Sequence, residues 1–423
     1  MATSAQKFSC GATHNLGRLM KTNILLTSGR APATLELARR FHKSGYRVYV
    51  ADSVSYSVSR FSQAVAKHIM LPSPRVNDDL YLDALSKIVR RYGIDLLVPT
   101  CEELFYIARK LHSLDFPCQI LVDKFDKLDR LHDKYRFMEL AESCGFRTPH
   151  TRKAETREEL AQILSGWEKR GAVVIKPVYS RFGAHVAVLS DRRSDIPFAR
   201  IENPPWVVQQ YVDGDQYCTY SVCHDGKILA HVTYTTPYTL APYPSYRGVY
   251  RGPGVYFISA RDEEIEQWVQ RFVTLTQFTG QIAFDFVRQR DGALFPIECN
   301  PRLTSGIHLF PNEATLCRAF TSAHHQTITV PAGTRRMVAH GVWLLSLSHL
   351  RSWRDLCTFV TDWLGARDVI FSWHDPLPFF HGFWITFYLG LKSWKRRTYF
   401  ADTVTHDISW NGNACDSLVE RVG

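Results

Sequence analysis

The sequence lacks the cysteine spacing of a zinc site or of a small disulfide-stabilised domain. Its ten cysteines are scattered over 423 residues without a C-x-x-C pair, and the closest two are Cys218 and Cys223. This pattern is typical of reduced cysteines in a cytosolic protein. Met1–Met20 also lacks the apolar core of a secretory signal, so we expect residues 1–20 to form a loose tail.

Long apolar runs are also scarce. The strongly apolar segment Leu377–Leu391 is shorter than the ~20 residues that a transmembrane helix needs. Four basic residues follow it closely, namely Lys392, Lys395, Arg396 and Arg397. We predict a buried helix or lid here, with peripheral membrane contact through residues 377–397 as the alternative.

The chain has no dense run of lysine and arginine, although its net charge is +10. The positive excess is compatible with a nucleotide, a nucleic acid or an anionic membrane surface as ligand. Because the basic residues are spread along the chain, the pattern argues against a nucleic-acid partner.

The first predicted βαβ unit lacks the glycine fingerprint of a dinucleotide site. An apolar strand at Asn23–Ser28, a helix opened by Pro32 and a second strand at Arg47–Asp52 predict parallel strands. The first turn reads S-G-R-A-P rather than G-x-G-x-x-G, which argues against NAD. Walker A, H-E-x-x-H and G-x-S-x-G motifs are absent as well. Ligands of such a Rossmann-like domain bind at the carboxyl ends of the strands, where the loops carry Arg30, Arg60, Thr100 and Glu102.

Beyond Leu131 the pattern changes from α/β to α+β. Helices are predicted at 133–144 and about 157–170, and mostly antiparallel strands at 172–177, 207–212, 216–222, 227–235, 280–288 and 293–298. We therefore expect four regions: a tail (1–20), a Rossmann-like domain (21–128), an α+β domain with lobes at about 129–210 and 211–330, and an aromatic-rich extension (331–423).

The most informative residues close the second unit, in the segment G-Q-I-A-F-D-F-V-R followed by L-F-P-I-E-C-N-P-R. Glu298 and Asn300 lie two apart on one strand and therefore face the same side, and Asp285 on the preceding strand can join them. Two carboxylates and an amide oxygen suit magnesium held against phosphates, with manganese as a substitute. Arg302 adds a cationic fork for a transferring phosphoryl group.

Two further segments suit a nucleotide. Lys176 ends the apolar strand V-V-I-K-P, which directs its ammonium to a cleft and to phosphate oxygens. The turn Ser180–His185, which includes Gly183, can cover phosphates with its backbone N–H groups. The strand W-V-V-Q-Q-Y-V breaks at D-G, so that its end can meet the adenine edge, and Asp215 or Gln216 can reach the ribose.

Taken together and in this order, these motifs resemble the ATP-grasp superfamily, in the style of carbamoyl-phosphate synthetase and its carboxylate–amine ligase relatives. The resemblance covers about Ile24–Phe310 and includes a Rossmann-like pre-grasp domain, the D-K helix start at Asp133, V-I-K-P and F-P-I-E-C-N-P-R. It implies a two-lobed grasp fold that binds ATP and Mg²⁺. Departures from the family pattern are Gln210 and Gln216, where acidic residues are common, and the small glycine content of the 180–185 turn.

The resemblance also implies roles for single residues. The phosphates would be held by Lys134 and Lys176, adenine would be lined by Gln210, Tyr211 and Val212, and the ribose would lie near Asp215 and Gln216. Ser180 and Gly183 would cover the nucleotide, Asp285, Glu298 and Asn300 would bind magnesium, and Arg302 would steady the transferring phosphate.

The activity implied is phosphorylation of a carboxylate, followed by attack of an amine, such as that of an amino acid, with release of ADP and phosphate. Some members instead activate an enolised ketone, as in the mycosporine-glycine synthases, which attach glycine to a cyclohexenone. The alternatives of other classes are a kinase without ligation, a non-catalytic ATP-binding regulator, and a membrane-associated partner protein. The pattern favours a cytoplasmic biosynthetic enzyme acting on small molecules.

Candidate substrate contacts lie in the segment between the predicted adenine-binding strand end and the metal motif, and in two other places. Arg247 and Arg251 stand in an irregular Tyr-, Pro- and Gly-rich loop and can clamp a carboxylate, although an ordinary surface loop fits equally well. His308 can line the pocket or pack in the core, and Glu102 lies in a loop of the first domain.

Overall fold

The first sheet of the protein is parallel. We describe it from a computed structural model, which covers residues 22–113, 116–167, 171–181, 185–189, 204–239, 254–311, 313–321, 326–342, 353–396 and 400–412. The strands are β1 (Asn23–Thr27), β2 (Arg47–Asp52), β3 (Val65–Met70), β4 (Leu96–Val98) and β5 (Gln119–Ile120), and the helices are α1 (Pro32–Lys43), α2 (Asp78–Tyr92) and α3 (Glu103–Arg109). The strand order is β3-β2-β1-β4-β5, which confirms the predicted Rossmann-like sheet.

Local signals explain the bounds of α2. Asn77 caps the helix by accepting a hydrogen bond from the Leu80 N–H, so α2 begins at Asp78. Gly93 ends the helix with φ = 54°, a left-handed conformation that glycine adopts without strain.

A four-stranded antiparallel sheet follows, with order β6-β9-β7-β8. Its elements are α4 (Phe125–His132), α5 (Lys134–Ser143), β6 (Thr151–Ala154), α6 (Arg157–Ser165), β7 (Val173–Pro177), β8 (Ala187–Leu189) and β9 (Trp206–Gln210). Leu160, Ile175 and Trp206 form part of its core. β6 was not predicted, because its sequence T-R-K-A has no apolar run; its backbone pairs with β9 instead.

The third sheet has seven strands in the order β14-β13-β10-β11-β12-β15-β16. Its elements are β10 (Asp215–His224), β11 (Lys227–Thr235), β12 (Tyr256–Ala260), α7 (Glu263–Thr276), β13 (Gly280–Arg288), β14 (Leu294–Asn300), α8 (Glu313–Thr321), β15 (Arg335–Met337) and β16 (Arg367–Asp368). An aromatic core, in which Trp268 and Phe272 contact Phe284, joins α7 to the sheet. The mixed α/β and α+β architecture is thereby confirmed.

The C-terminal part contributes α9 (Trp353–Gly365), α10 (Leu377–Arg396) and α11 (Phe400–Thr405) in addition to β15 and β16. The apolar segment predicted to be a buried helix or lid lies in α10, which is only half-buried, since Trp384 is 70% exposed and Trp394 is 76% exposed. None of the helices in the described ranges is long and apolar enough to cross a bilayer.

A buried ion-pair network attaches the chain's C-terminal segment to the parallel sheet. The Arg30 side chain is 4% exposed and binds Asp52 at 2.5 Å and Asp407 at 2.5 Å. Ser53 donates a further hydrogen bond to Asp407. A cation so far from water needs both carboxylates, because its desolvation would otherwise be uncompensated.

We expect Asp407→Ala to destabilise the protein by about 1–3 kcal/mol, because it leaves Arg30 with one carboxylate in place of two. The measurement is the shift of the thermal unfolding midpoint. Asp79→Ala is the matched control, since Asp79 pairs with Lys110 but its side chain is 78% exposed, and should cost below about 1 kcal/mol. Equal shifts in the two variants would contradict this account.

Candidate active site

Two acidic side chains meet on neighbouring strands at one edge of the seven-stranded sheet. Asp285 on β13 lies opposite Glu298 on β14, and a bulge follows directly after Asp285. Asn300 projects from the same face as Glu298, and its Nδ2 donates to Glu298 Oε1 at 3.3 Å. As an edge strand, β14 tolerates Pro296 close to this pair. The strand register thus brings together the three predicted metal ligands.

The two carboxyl groups differ in their electrostatic environment. Removal from water and the neighbouring charge of Glu298 raise the pKa of Asp285 well above its usual value. Removal from water opposes ionisation of Glu298 too, but the attraction of Lys134 and then Lys176 outweighs it and lowers the pKa of Glu298. Glu298 is therefore ionised at neutral pH, and a second negative charge beside it, on Asp285, is costly.

The residues present fit a hard divalent cation. Its charge would remove the cost of ionising Asp285 beside Glu298, and oxygen donors are the ligands that magnesium prefers. The described part of the chain contains no group of three or more His, Cys, Asp and Glu side chains arranged for a metal ion. Two carboxylates alone match a magnesium ion that keeps several waters and completes its shell with phosphate oxygens.

Two buried lysines approach the carboxylate pair from the four-stranded sheet and its helices. Lys134, the first residue of α5, donates to the Ser180 carbonyl at 2.8 Å and lies 3.6 Å from Glu298 Oε2. Lys176 on β7 donates to Gln209 Oε1 at 2.9 Å and to the Ile297 carbonyl of β14 at 3.4 Å. Both ammonium groups therefore lie at the cleft between the four-stranded and the seven-stranded sheet, as their predicted role with phosphates requires.

Arg302 follows the carboxylate motif and turns toward the parallel sheet. Its Nη2 donates to Asn300 Oδ1 at 3.1 Å, and its Nε lies 3.9 Å from Glu102 Oε1. Within the described residues, neither the Arg302 Nε nor the Glu102 Oε1 has a hydrogen-bond partner. Buried polar atoms without partners are uncommon in native proteins and mark a place where a further group can bind.

Sequence reasoning missed two residues beside Glu102. Arg181 donates to Glu102 Oε2, and the Trp410 backbone N–H donates to the same oxygen at 3.0 Å. Burial works against ionisation of Glu102, but the charge of Arg181 outweighs it and holds the pKa of Glu102 at about 2. Arg181 lies within the predicted phosphate turn Ser180–His185, so its position could have been noticed, whereas Trp410 is distant in sequence and offered no signal.

A family model described as an ATP-grasp domain matches residues 131–306. This part of the chain is an ATP-grasp domain. The match confirms, for these residues, the resemblance that the motifs predicted. A comparison with curated proteins found no match.

Solved structures share the fold of most of the chain. An L-amino acid ligase from Bacillus licheniformis is 16% identical, with a TM-score of 0.55, covering 72% of this chain and 75% of that one. An N5-carboxyaminoimidazole synthetase from Staphylococcus aureus complexed with ADP is 14% identical, with a TM-score of 0.59, covering 78% and 86%. A biotin carboxylase from Campylobacter jejuni is 12% identical, with a TM-score of 0.56, covering 74% of each chain.

The predicted adenine hinge connects the two sheets of the ATP-grasp domain. The N–H groups of Gln210 and Tyr211 already donate to the carbonyls of His150 and Ala172, at 2.8 and 2.9 Å. Val212 is buried against Val287 and Phe295. These two N–H groups are therefore engaged within the protein, while Asp215 and Gln216 are exposed at the start of β10.

The remaining predicted contacts of the ATP-grasp domain are placed as follows. Ser180 is described and accepts the Lys134 hydrogen bond. Gly183, Arg247 and Arg251 lie outside the described residues. His308 is 1% exposed, with its Nδ1 3.5 Å from Glu36 Oε2, and so packs between the sheet and α1.

The electrostatics of Lys176 predict a pH dependence. Burial lowers the pKa of Lys176 to about 8, although Glu298 opposes this shift. Above that pH the free protein loses the ammonium charge, so we expect the affinity for a non-hydrolysable ATP analogue to fall with a midpoint near pH 8. Titration calorimetry across this range measures the effect.

Two variants test the assignment to Lys176. Lys176→Arg should flatten the profile, because arginine stays protonated, and Lys176→Met should weaken binding by roughly a hundredfold at neutral pH. Lys227→Arg, at the exposed start of β11, is the matched control and should keep the parent profile. An unchanged midpoint in Lys176→Arg would show that another group titrates.

Proposed function

We propose that the protein is an ADP-forming ligase, which phosphorylates a carboxylate or an enolised ketone and joins the activated group to an amine. The observation that carries the proposal is the convergence of four ionisable side chains on one cleft, namely Lys134, Lys176, Asp285 and Glu298, with Arg302 beside them. An anionic acceptor and a triphosphate repel each other, and this cleft supplies the charges that would bring them together.

The position of each residue in the cleft indicates its proposed role. Asp285, Glu298 and Asn300 would hold Mg²⁺, which supplies charge neutralisation and a template for the phosphates when bound. Lys134 and Lys176 would hold phosphate oxygens from the four-stranded sheet.

Arg302 lies between this metal motif and Glu102, so its fork would hold the transferring phosphoryl group at the side of the parallel sheet. We propose that the acceptor binds there, close to the unpartnered atoms of Arg302 and Glu102. Phosphorylation converts the acceptor oxygen into a leaving group, and attack by an unprotonated amine then expels phosphate.

An ADP-release screen tests the reaction type. Purified full-length protein with Mg²⁺ and ATP is offered panels of carboxylic acids and cyclic enones, each with and without amino acids, and the products are identified by mass spectrometry. A ligase gives ADP together with a condensed product and responds to the amine. ADP with a stable phosphorylated acid would indicate a kinase, and ATP binding without ADP in any mixture would indicate a regulator.

The Asp285→Asn variant is the control for contaminating ATPases. Because it removes a proposed metal ligand without changing the shape of the side chain, all product should disappear in it. Product that persists at the parent level would overturn the proposed site.

A further inference from the structure

The outer face of α10 consists of aromatic side chains that contact water. Six of them are at least half exposed, between 50% and 76%: Phe380, Phe383, Trp384, Phe387, Tyr388 and Trp394. We call these six residues the aromatic face. At about 100° per residue they project within an arc of roughly 140° and extend over about 20 Å of the helix. With roughly 200 Å² per aromatic side chain, they expose on the order of 700 Å², above the roughly 300–600 Å² of the largest patch on an ordinary monomer.

The inner face of the same helix packs against the body of the protein through Phe379, Ile385 and Leu389, with Gly382 among them. A Cβ atom at Gly382 would lie 2.7 Å from the His340 ring, so the backbone of α10 approaches the body of the protein as closely as a glycine permits. His381 stacks on Phe61 with ring centroids 3.4 Å apart. The helix is therefore docked closely by this inner face, and the exposure of the aromatic face does not result from loose packing.

The charged side chains of α10 are all basic. Residues 376–401 contain no aspartate or glutamate and four basic residues, all after position 391. Lys395 is exposed and projects within the same arc as the aromatic face, and Lys392 lies at its edge, over the ring of Tyr56 at 5.7 Å. The chain as a whole carries +10, so a second copy would be repelled while an anionic surface would be attracted.

We propose that α10 is an interfacial membrane helix, which lays its aromatic face into the headgroup region of an anionic lipid bilayer. Tryptophan, tyrosine and phenylalanine are stabilised at this depth because their rings leave water, while the polar groups of tryptophan and tyrosine stay hydrated. The lysines at the end of the helix then meet the anionic headgroups. The protein lies on the membrane by this face and does not span it. This proposal does not depend on the proposed ligase reaction.

Vesicle co-sedimentation of the full-length protein tests the proposal. The probes are phosphatidylcholine vesicles with and without phosphatidylserine, at low and at high salt. We expect binding to the phosphatidylserine vesicles, weakened by salt. We expect the triple variant Trp384→Ser/Phe387→Ser/Trp394→Ser to bind these vesicles roughly tenfold more weakly than the parent, or more weakly still, because it removes half of the aromatic face. Lys395→Glu should weaken binding and reduce its salt dependence.

Leu80→Ser/Leu275→Ser is the matched control, since both leucines are more than half exposed and neither lies on α10. It should bind as the parent does, and an unchanged thermal unfolding midpoint of the triple variant shows that its fold is intact.

Three outcomes would overturn the proposal. The first is no binding to phosphatidylserine vesicles at low salt, and the second is equal binding by the parent and the triple variant. The third is self-association in sedimentation velocity without vesicles that the triple variant abolishes, which would make the aromatic face an interface between two copies. A triple variant that fails to fold is replaced by Lys395→Glu, whose side chain is exposed, and the same outcomes apply.

Discussion

Replacing Glu298 by glutamine is expected to lower the rate of ADP formation by roughly a thousandfold or more. The carboxylate lies opposite Asp285 in the register of β13 and β14 and 3.6 Å from the Lys134 ammonium. It is thus both a proposed metal ligand and the anion that balances two buried lysines. We also expect Glu298→Gln to lower the stability, by about 1–3 kcal/mol, because Lys134 and Lys176 lose their counter-charge.

Asp285→Asn separates the loss of metal binding from the loss of stability. The raised pKa of Asp285 means that the folded protein holds a proton which the unfolded chain releases near pH 4. The contribution of Asp285 to stability is therefore complete at low pH and is lost as the pH rises through its raised pKa. Asparagine cannot ionise, so the variant should unfold at the parent's temperature or above it at pH 8, yet have lost its activity.

The two variants are compared by ADP release, by thermal unfolding at pH 6 and pH 8, and by calorimetric titration with Mg²⁺ in the presence of an ATP analogue. Activity near the parent level in Asp285→Asn would remove this residue from the metal site. A lower unfolding temperature in Asp285→Asn at pH 8 would show that its carboxylate is not destabilising in the folded protein.

The second large effect is expected at Arg302, where Arg302→Gln should lower kcat by roughly 10²–10³-fold with little change in the KM for ATP. The guanidinium binds Asn300 at 3.1 Å and leaves its Nε without a partner among the described residues, so it has donors free for a group that carries charge only during transfer. Because an ammonium cannot reproduce the planar fork, Arg302→Lys should recover only part of the activity.

Arg288→Gln is the control for Arg302. Arg288 stands at the end of β13 and pairs with Asp262 and Glu264, on the N-terminal turn of α7. Its replacement should leave kcat unchanged while lowering the unfolding temperature slightly. If Arg302→Gln instead raised the KM for ATP at constant kcat, the arginine would bind the nucleotide in its ground state and not the transferring group.

Local sequence patterns predicted the regular strands well. The strands Arg47–Asp52, Lys227–Thr235 and Gly280–Arg288 were predicted with the bounds that the structure has. In each of them an apolar pattern is bounded by turn residues, and this signal is contained in a few neighbouring residues. The strand Thr151–Ala154 has no such signal, because its pairing with β9 depends on residues more than fifty positions away.

The features of the candidate site divide in the same way, into those that local sequence predicted and those that depend on distant residues. The common direction of Glu298 and Asn300 follows from the period of two along one strand, and the position of Lys176 follows from the end of a buried strand, so both could be read from the sequence. The approach of Asp285 to Glu298 depends on the register of two strands, which the sequence only suggested.

The sequence by itself determined the order of the motifs, the presence of an ATP-grasp domain and the chemical types of the residues in the cleft, because each of these resides in short contiguous segments. Only the tertiary structure decided that Arg181 and the Trp410 backbone meet at Glu102, and that the aromatic side of α10 faces outward. The two contacts at Glu102 join residues 79 and 308 positions apart, and the direction in which a helix docks depends on the shape of the surface that receives it.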